Sequence, residues 1–435
     1  VYRFTGQPLV DVGIATLTAF AGHTRPEQLT GDDLARAADW LASLYASGTL
    51  MGNLARGMLV LNSGYFDARR DAYIQRVLLG WQEDAPRLDT PCTFCGAPAA
   101  YLANREDVPL FTGRAVINFG PSGRDGQPVC GCCSLALHML PVGCFKSGRG
   151  LVALHSEDPA LVLAFARENL RRLQQILTLH VESLPELRFA RTRITELLLQ
   201  QWARLERRRT QPASLTAYYF SNAGQSPFVE IYRVDACALT FLDAVLHPVD
   251  LAVRDAWERA AARAWIAHAK DEGLDALRRN RLYEDFLTLP EGALTFLRRY
   301  LLPTGCWPLV ELYLRKVLTM RDSDLNLLRE VGDRMAAYAR QKSQFFYDFT
   351  RTHDYSGWRR IVLRAADDSA RVTGVPLISF DEFVTLFTFR DGEIWDWRLA
   401  RDLITLRMIE ARAVPDTDAP LFDDDLSDLP DEDQA

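Results

Sequence analysis

Residues 91–96 read PCTFCG and residues 129–133 read VCGCC. Each stretch holds a C-x-x-C pair, Cys92 with Cys95 and Cys130 with Cys133. In such a turn two thiolates point at one ion, and a glycine after the second cysteine, here Gly96, frees backbone N–H groups to face the sulfurs. Two turns supply four soft anionic ligands, which suits tetrahedral Zn2+. Four thiolates leave no coordination position for water, so the site is expected to be a structural staple and not a catalytic centre. The pairs are farther apart than in compact zinc ribbons, so the intervening chain must loop out. Cys132 competes with Cys133 as a ligand, and His138 or Cys144 could substitute. A redox C-x-x-C would not need two pairs.

Outward from the cysteines, the metal segment spans 91–150, and between the two pairs the chain is rich in Pro and Gly and predicts loops with one short strand, Ala115 to Phe119. Such chain has little core of its own, which is where a metal staple contributes most. Upstream, Pro8 to Gly22 is apolar. With Asp11 in its middle and only Arg3 before it, it predicts a buried first helix and not a signal peptide. Thr30-Gly31-Asp32-Asp33 predicts a helix start with Thr30 as N-cap, followed by Leu34, Ala37, Ala38, Leu41, Leu44 and Tyr45 at helical spacing and a stop at Gly48. Asp71 to Gly80 predicts another helix. Downstream, Ser156-Glu157-Asp158-Pro159 predicts the start of a long helix with Ser156 as cap, reaching about His180, and a second helical stretch follows Pro185. Residues 215–220 and 228–232 predict two strands around a turn. From about 235 the pattern is helical, and Met320 to Ala413 predicts a bundle with Trp358, Trp395 and Trp397 in its core. The expected fold is α+β, predominantly α. It comprises an N-terminal mixed α/β domain (1–235) with the inserted zinc segment (91–150), a helical connecting region (236–318), a C-terminal helical bundle (319–413) and an acidic tail (414–435) expected to be disordered.

The chain of 435 residues is 48% hydrophobic and 25% charged, as in a soluble protein with a sizeable core. Nothing reads as a membrane span, and the eight cysteines are not spaced as a disulfide framework, which points to a reducing cytoplasm. The formal net charge is −7, but Asp416 to Ala435 holds nine acidic residues and no basic one, so the rest is close to neutral. Cations are almost all arginine, with only four lysines, and Arg167 to Arg209 carries ten arginines. That run reads either as a solvated face paired with Glu168, Glu182, Glu186 and Glu206 or as a groove for a nucleic-acid backbone, densest at Arg207, Arg208 and Arg209. Lys146-Ser147-Gly148-Arg149-Gly150 offers Lys146 and Arg149 to phosphate without being a P-loop. Asn53, Asn62 and Asn222 lie in Gly-containing turns, where turn chemistry and amide contacts to base edges or phosphates are both open.

Catalytic patterns are missing: there is no H-E-x-x-H, no G-x-S-x-G and no G-x-G-x-x-G after a strand. His353-Asp354 lacks further metal partners in a chain of seven histidines. Pro91-Cys92-Thr93-Phe94-Cys95 matches half of the zinc-deaminase signature, but no His-x-Glu precedes it. A zinc-dependent nucleic-acid-modifying enzyme is the alternative reading, and a non-enzymatic role is the expected one.

Several stretches together carry a resemblance: Phe4 to Ala15 (FTGQPLVDVGIA), the Leu29-Thr30 helix entry, the two cysteine pairs, Val129 to Gly143 (VCGCCSLALHMLPVG), Leu151 to His155 and Tyr218 to Gln225 (YYFSNAGQ). They are similar to the CXXC-CXXC family of CRISPR-associated proteins, the large subunit of type I-B and related I-A Cascade surveillance complexes. The likeness covers roughly residues 1–235. It implies a subunit that recognises the protospacer-adjacent motif in target double-stranded DNA, aids R-loop formation and docks the downstream helicase-nuclease in antiviral defence. The implied partners are crRNA, the DNA target and the Cascade backbone and small subunits, with sequence reading delegated to the guide. A transposon-associated Cascade, with transposition proteins as partners and RNA-guided integration as outcome, is the alternative. The C-terminal bundle resembles the small subunits that line the non-target strand, and Met320 stands where an internal start for such a product could lie.

Overall fold

The computed structural model describes residues 2–46, 71–104, 107–108, 126–148, 150–179, 189–204, 214–221, 228–266, 279–387, 389–390, 393–394 and 397–411. The chain divides into two compact units, Val1–Ala236 with Ile266–Leu287, and Cys237–Trp265 with Thr288–Ala435. It is predominantly helical with small sheets, an α+β fold.

Helix α1 (Pro8–Phe20) is the axis of the first unit. Proline at its first position costs no hydrogen bond, because that N–H would be an orphan in any case. Buried Asp11 accepts from the Thr5 N–H (2.6 Å), the Thr5 hydroxyl (2.8 Å) and the Gly6 N–H (3.0 Å), which pins the entering chain. The helix is apolar on all sides, with Val10, Val12, Ile14, Ala15 and Leu17 buried, as expected of a helix surrounded by protein. Helix α2 (Gly31–Ala46) starts where the capping pattern predicts. The Thr30 hydroxyl takes the Asp33 N–H at 3.3 Å and Asp33 returns a bond to the Thr30 N–H at 3.0 Å. Residues 71–77 form α3.

Strands β1 (Tyr101–Ala103) and β2 (Gln127–Val129) pair antiparallel, with Tyr101 opposite Val129, and lead into α4 (Gly131–Gly143). Strands β3 (Phe145–Ser147), β4 (Gly150–Ser156), β5 (Leu215–Ser221) and β6 (Phe228–Val234) make one antiparallel sheet in the order β3-β4-β5-β6. Helices α5 (Pro159–Thr178) and α6 (Ala190–Arg204) fall between β4 and β5. The cap of α5 is Asp158, whose carboxylate takes the Ala160 N–H at 2.9 Å, and not Ser156 as the sequence pattern suggests. Ser156 is the last residue of β4 and its hydroxyl donates to the Ser214 carbonyl at 2.9 Å, so strand pairing claims it.

The core of the first unit is built by α1 packed on α4 and α5, with the inner ends of β4 and β5 beneath. The α1–α4 crossing is close enough to exclude side chains: a Cβ on Gly13 would lie 2.0 Å from the Ala136 oxygen, and one on Gly143 1.9 Å from Thr16 Oγ1.

Helices α7 (Ala236–Leu246) and α8 (Leu251–Arg263) follow β6. The short helix α9 (Arg281–Phe286) belongs to the first unit, where Glu284 takes the Thr192 hydroxyl at 3.1 Å and Arg279 at 2.7 Å. Helices α10 (Trp307–Lys316), α11 (Asp322–Gln341), α12 (Ser343–Arg351), α13 (Tyr355–Thr373), α14 (Phe380–Phe387) and α15 (Trp397–Glu410) complete the second unit. Its core is aromatic. Phe241, Phe296 and Tyr313 cluster at one end, and fully buried Trp358 packs against Phe349, Phe387 and Trp397 at the other. Trp358 is thus core, as expected; Trp395 lies outside the described residues. Among the described residues no single helix is long and apolar enough to cross a membrane.

Candidate metal centre

Residues 91–98 fold into a tight knuckle closed by a bridge between Pro91 and Pro98. The Cys92 N–H donates to the Ala97 carbonyl at 2.6 Å and the Gly96 N–H to the Cys92 carbonyl at 2.9 Å. Gly96 has φ of +77°, a left-handed backbone that a side chain would strain. The Thr93 N–H donates to the Pro128 carbonyl at 2.9 Å, which ties the knuckle to β2 and so to the second pair.

The second pair is placed by a strand end and a helix start. Cys130 follows β2 and caps α4, its sulfur accepting the Cys133 N–H at 3.4 Å. Gly131 lies against the chain at Gly80, where an added Cβ would meet the Gly80 carbonyl carbon at 1.9 Å. Only glycine lets α4 start there. The helix N-terminus supplies partial positive charge that favours thiolate.

The four sulfurs of Cys92, Cys95, Cys130 and Cys133 all lie within 4.8 Å of one another, with Cys95 and Cys130 at 3.5 Å. Metal–sulfur bonds of ~2.3 Å in a tetrahedron require sulfur separations of about 3.8 Å, so the cluster has the dimensions of a closed four-thiolate site. Cys92, Cys130 and Cys133 are buried and Cys95 is half-buried. The protons of these crowded thiols are unevenly held. Hydrogen bonds from Cys130, Cys133 and Cys95 hold Cys92 well below the ordinary thiol range, and those from Cys130 and Cys133 bring Cys95 down to about 7. Cys133, bonded to Cys130, Cys92 and Cys95, is pushed far up. Four adjacent negative charges need a cation between them, and a dication removes the conflict.

The rival ligands have other roles. Cys132 Sγ stays out of the cluster, its carbonyl takes the Tyr2 hydroxyl at 3.0 Å, and burial raises its thiol. Cys144 lies at the far end of α4, about 20 Å along the helix axis from Cys130. His138 is fully enclosed, with Nδ1 2.7 Å from the Ser134 carbonyl and Nε2 2.7 Å from the Tyr73 hydroxyl. A carbonyl only accepts, so Nδ1 carries the hydrogen and Nε2 accepts from the tyrosine. Burial keeps this ring neutral, with its pKa lowered to about 4.

Beneath the sulfurs lies a polar network that no sequence spacing announces. The Tyr101 hydroxyl meets Ser134 Oγ at 2.8 Å, Ser134 donates to the Val77 carbonyl at 2.8 Å, and Arg76 reaches Asp107 at 2.6 Å between the Tyr73 and Tyr101 rings. Its members come from α3, β1, α4 and the turn at Asp107, so only the tertiary fold brings them together.

Of the nucleic-acid candidates, Lys146 sits half-buried on β3, opposite Leu151 of β4. Asn53, Asn62, Arg149, Arg207, Arg208, Arg209 and Asn222 lie outside the described residues, as do the predicted strand at 115–119 and the acidic tail. In the described part of the arginine run three arginines pair with carboxylates, while Arg167 and Arg191 donate to the His23 and Glu284 carbonyls at 3.2 Å. Arg171 and Arg172 both bind Glu168 at 2.8 Å, and Arg193 binds Glu196 at 3.0 Å. Asp354 caps α13 by accepting the Gly357 N–H at 2.7 Å. No protein-family model, curated protein or solved structure matches the chain.

Proposed function

We propose that this chain is a zinc-stapled, non-catalytic DNA-recognition subunit of a crRNA-guided complex of the type I Cascade kind, working in the cytoplasm. The observation that carries the reading is the closed four-cysteine cluster. Soft thiolates in a tetrahedral set favour Zn2+, and four of them leave no position for a substrate or an activated water. Cys92, Cys95, Cys130 and Cys133 would hold the ion, and its contribution would be to fix the knuckle against β2 and the start of α4.

The segments that carry the family resemblance support the same reading. Phe4 to Ala15, Val129 to Gly143 and Leu151 to His155 form α1, α4 and β4, which pack together in one core. A rigid body with a stapled surface knuckle suits presentation of a reading element to duplex DNA. Contacts to backbone are assigned to Lys146, Arg149 and Arg207 to Arg209, and contacts to bases to Asn53, Asn62 and Asn222. The same body serves a defence complex or a transposon-associated one.

The test is isolation of the tagged full chain from its host. Co-isolation with a small RNA and a repeating backbone subunit, with one zinc per chain by elemental analysis, is expected. Turnover of a nucleic-acid substrate by the chain alone would replace this proposal with the enzyme reading. Within the assembled complex, Lys146→Ala with Arg149→Ala should weaken binding to motif-bearing duplex by about tenfold at moderate salt; unchanged affinity would remove that loop from the interface.

A further inference from the structure

Many arginines of the second unit are matched by acid: Arg298 and Arg401 share Asp402, Arg315 and Arg329 share Glu311, and Arg407 binds Asp333. Helix α13 gathers three that are not so matched on one helix. Arg359, Arg360 and Arg364 are exposed, and none has a carboxylate at ion-pair distance among the described residues. The nearby acids are committed elsewhere, Asp354 to the helix cap and Asp367 to Arg371. At about 100° per residue the three arginines span about 140° of arc. Leu363, 49% exposed, lies within that arc. This face is a cationic strip around an apolar spot.

We propose that the partner of this face is the chain's own acidic segment, Asp416 to Ala435, which follows α15 in the same unit. Three properties of the segment match. It carries nine acids and no base. Its acids are interleaved with apolar residues, Leu421, Phe422, Leu426 and Leu429, so it can supply carboxylates to the guanidiniums and an apolar side chain to Leu363. Residues 412–435 reach up to ~80 Å when extended, whereas α13 is about 28 Å long, so length does not limit the contact. Tethering raises the local concentration of the segment to the millimolar range, enough to make weak ion pairs effective.

The test uses the full chain, a variant with Asp423→Asn, Asp424→Asn, Asp425→Asn and Asp428→Asn, and both forms again with Arg359→Gln, Arg360→Gln and Arg364→Gln. Unchanged melting profiles establish that all are folded. The probe is a fluorescent peptide of residues 416–435 at low salt. The Asp→Asn form should bind it about tenfold more tightly than the native chain, whose own segment competes, and the three Arg→Gln changes should abolish the difference. Equal binding by the first two forms overturns the proposal, as does a gain that survives the Arg→Gln changes. A second probe, single-stranded oligo-dT of about 20 nucleotides, separates the sources of anion. Capture of the oligonucleotide by the arginine face without capture of the peptide assigns the strip to nucleic acid and overturns the internal contact. Neither arm needs a guide RNA, so the outcome is independent of the complex proposed above.

Discussion

At the scale of single residues, the chemistry of the first unit depends on which thiols share one point. Cys92→Ser with Cys95→Ser removes half of the ligand set. It should release the bound metal and cost about 4 kcal/mol or more, as losses of structural metal do. Cys132→Ser should leave metal content unchanged, because that sulfur is outside the cluster; elemental analysis and thermal melts decide both. His138 gives a pH signature. Its folded pKa of about 4 lies below the ordinary 6.5, so as pH falls from 6.5 toward 4 the unfolded chain takes up a proton that the folded chain refuses. Stability from this residue is complete above 6.5 and declines below it, by about 2 kcal/mol at pH 5. The stability gap between wild type and His138→Gln should therefore narrow between neutral pH and pH 5, measured by denaturant titration of metal-loaded protein. Loss of metal in acid is common to both forms and cancels in the gap. A pH-independent gap would show that the ring is not held neutral.

At the scale of elements, the same substitution should have opposite effects at two glycines. Alanine normally favours a helix by up to about 1 kcal/mol over glycine. Gly31, at the start of α2, has only Trp81 Cζ3 at 4.0 Å from an added Cβ, so Gly31→Ala should be neutral or mildly stabilising. Gly13 faces the Ala136 carbonyl at 2.0 Å, so Gly13→Ala must push α1 away from α4. A loss of about 2 kcal/mol or more is expected, and equal melting of the two variants would refute the close crossing. Element starts were legible where the signal is local. Thr30 with Asp33 caps α2, and Pro8 opens α1. The start of α5 was misplaced by two residues because Ser156 and Asp158 are equally good caps in isolation, and only pairing of β4 with β5 removes Ser156 from the choice.

At the scale of the whole molecule, the four-cysteine cluster belongs to one of two compact units. Chelation should therefore melt the first unit at lower temperature and leave the aromatic core of the second in place. Calorimetry with and without chelator should turn one broad transition into two, or widen an existing separation. A single transition that shifts as a whole would mean that the units unfold together. The division itself was not open to sequence reasoning, because residues 266–287 return to the first unit through contacts such as Thr192 with Glu284, nearly a hundred positions apart.

Sequence alone was sufficient for whatever depends on near neighbours: the two C-x-x-C pairs, the helix periodicity, the β5–β6 strand pair and the predominance of helix. Those follow from backbone geometry and from the need to bury apolar faces, which act over a few residues. Three matters were left to the tertiary structure: that Cys133 and not Cys132, His138 or Cys144 completes the four-sulfur cluster, that Gly13 and Gly131 allow backbones to touch, and that Arg359, Arg360 and Arg364 of α13 share one exposed face with no carboxylate at ion-pair distance among the described residues. Each depends on chain segments brought together across long sequence separations, and that meeting is set by packing of the whole core.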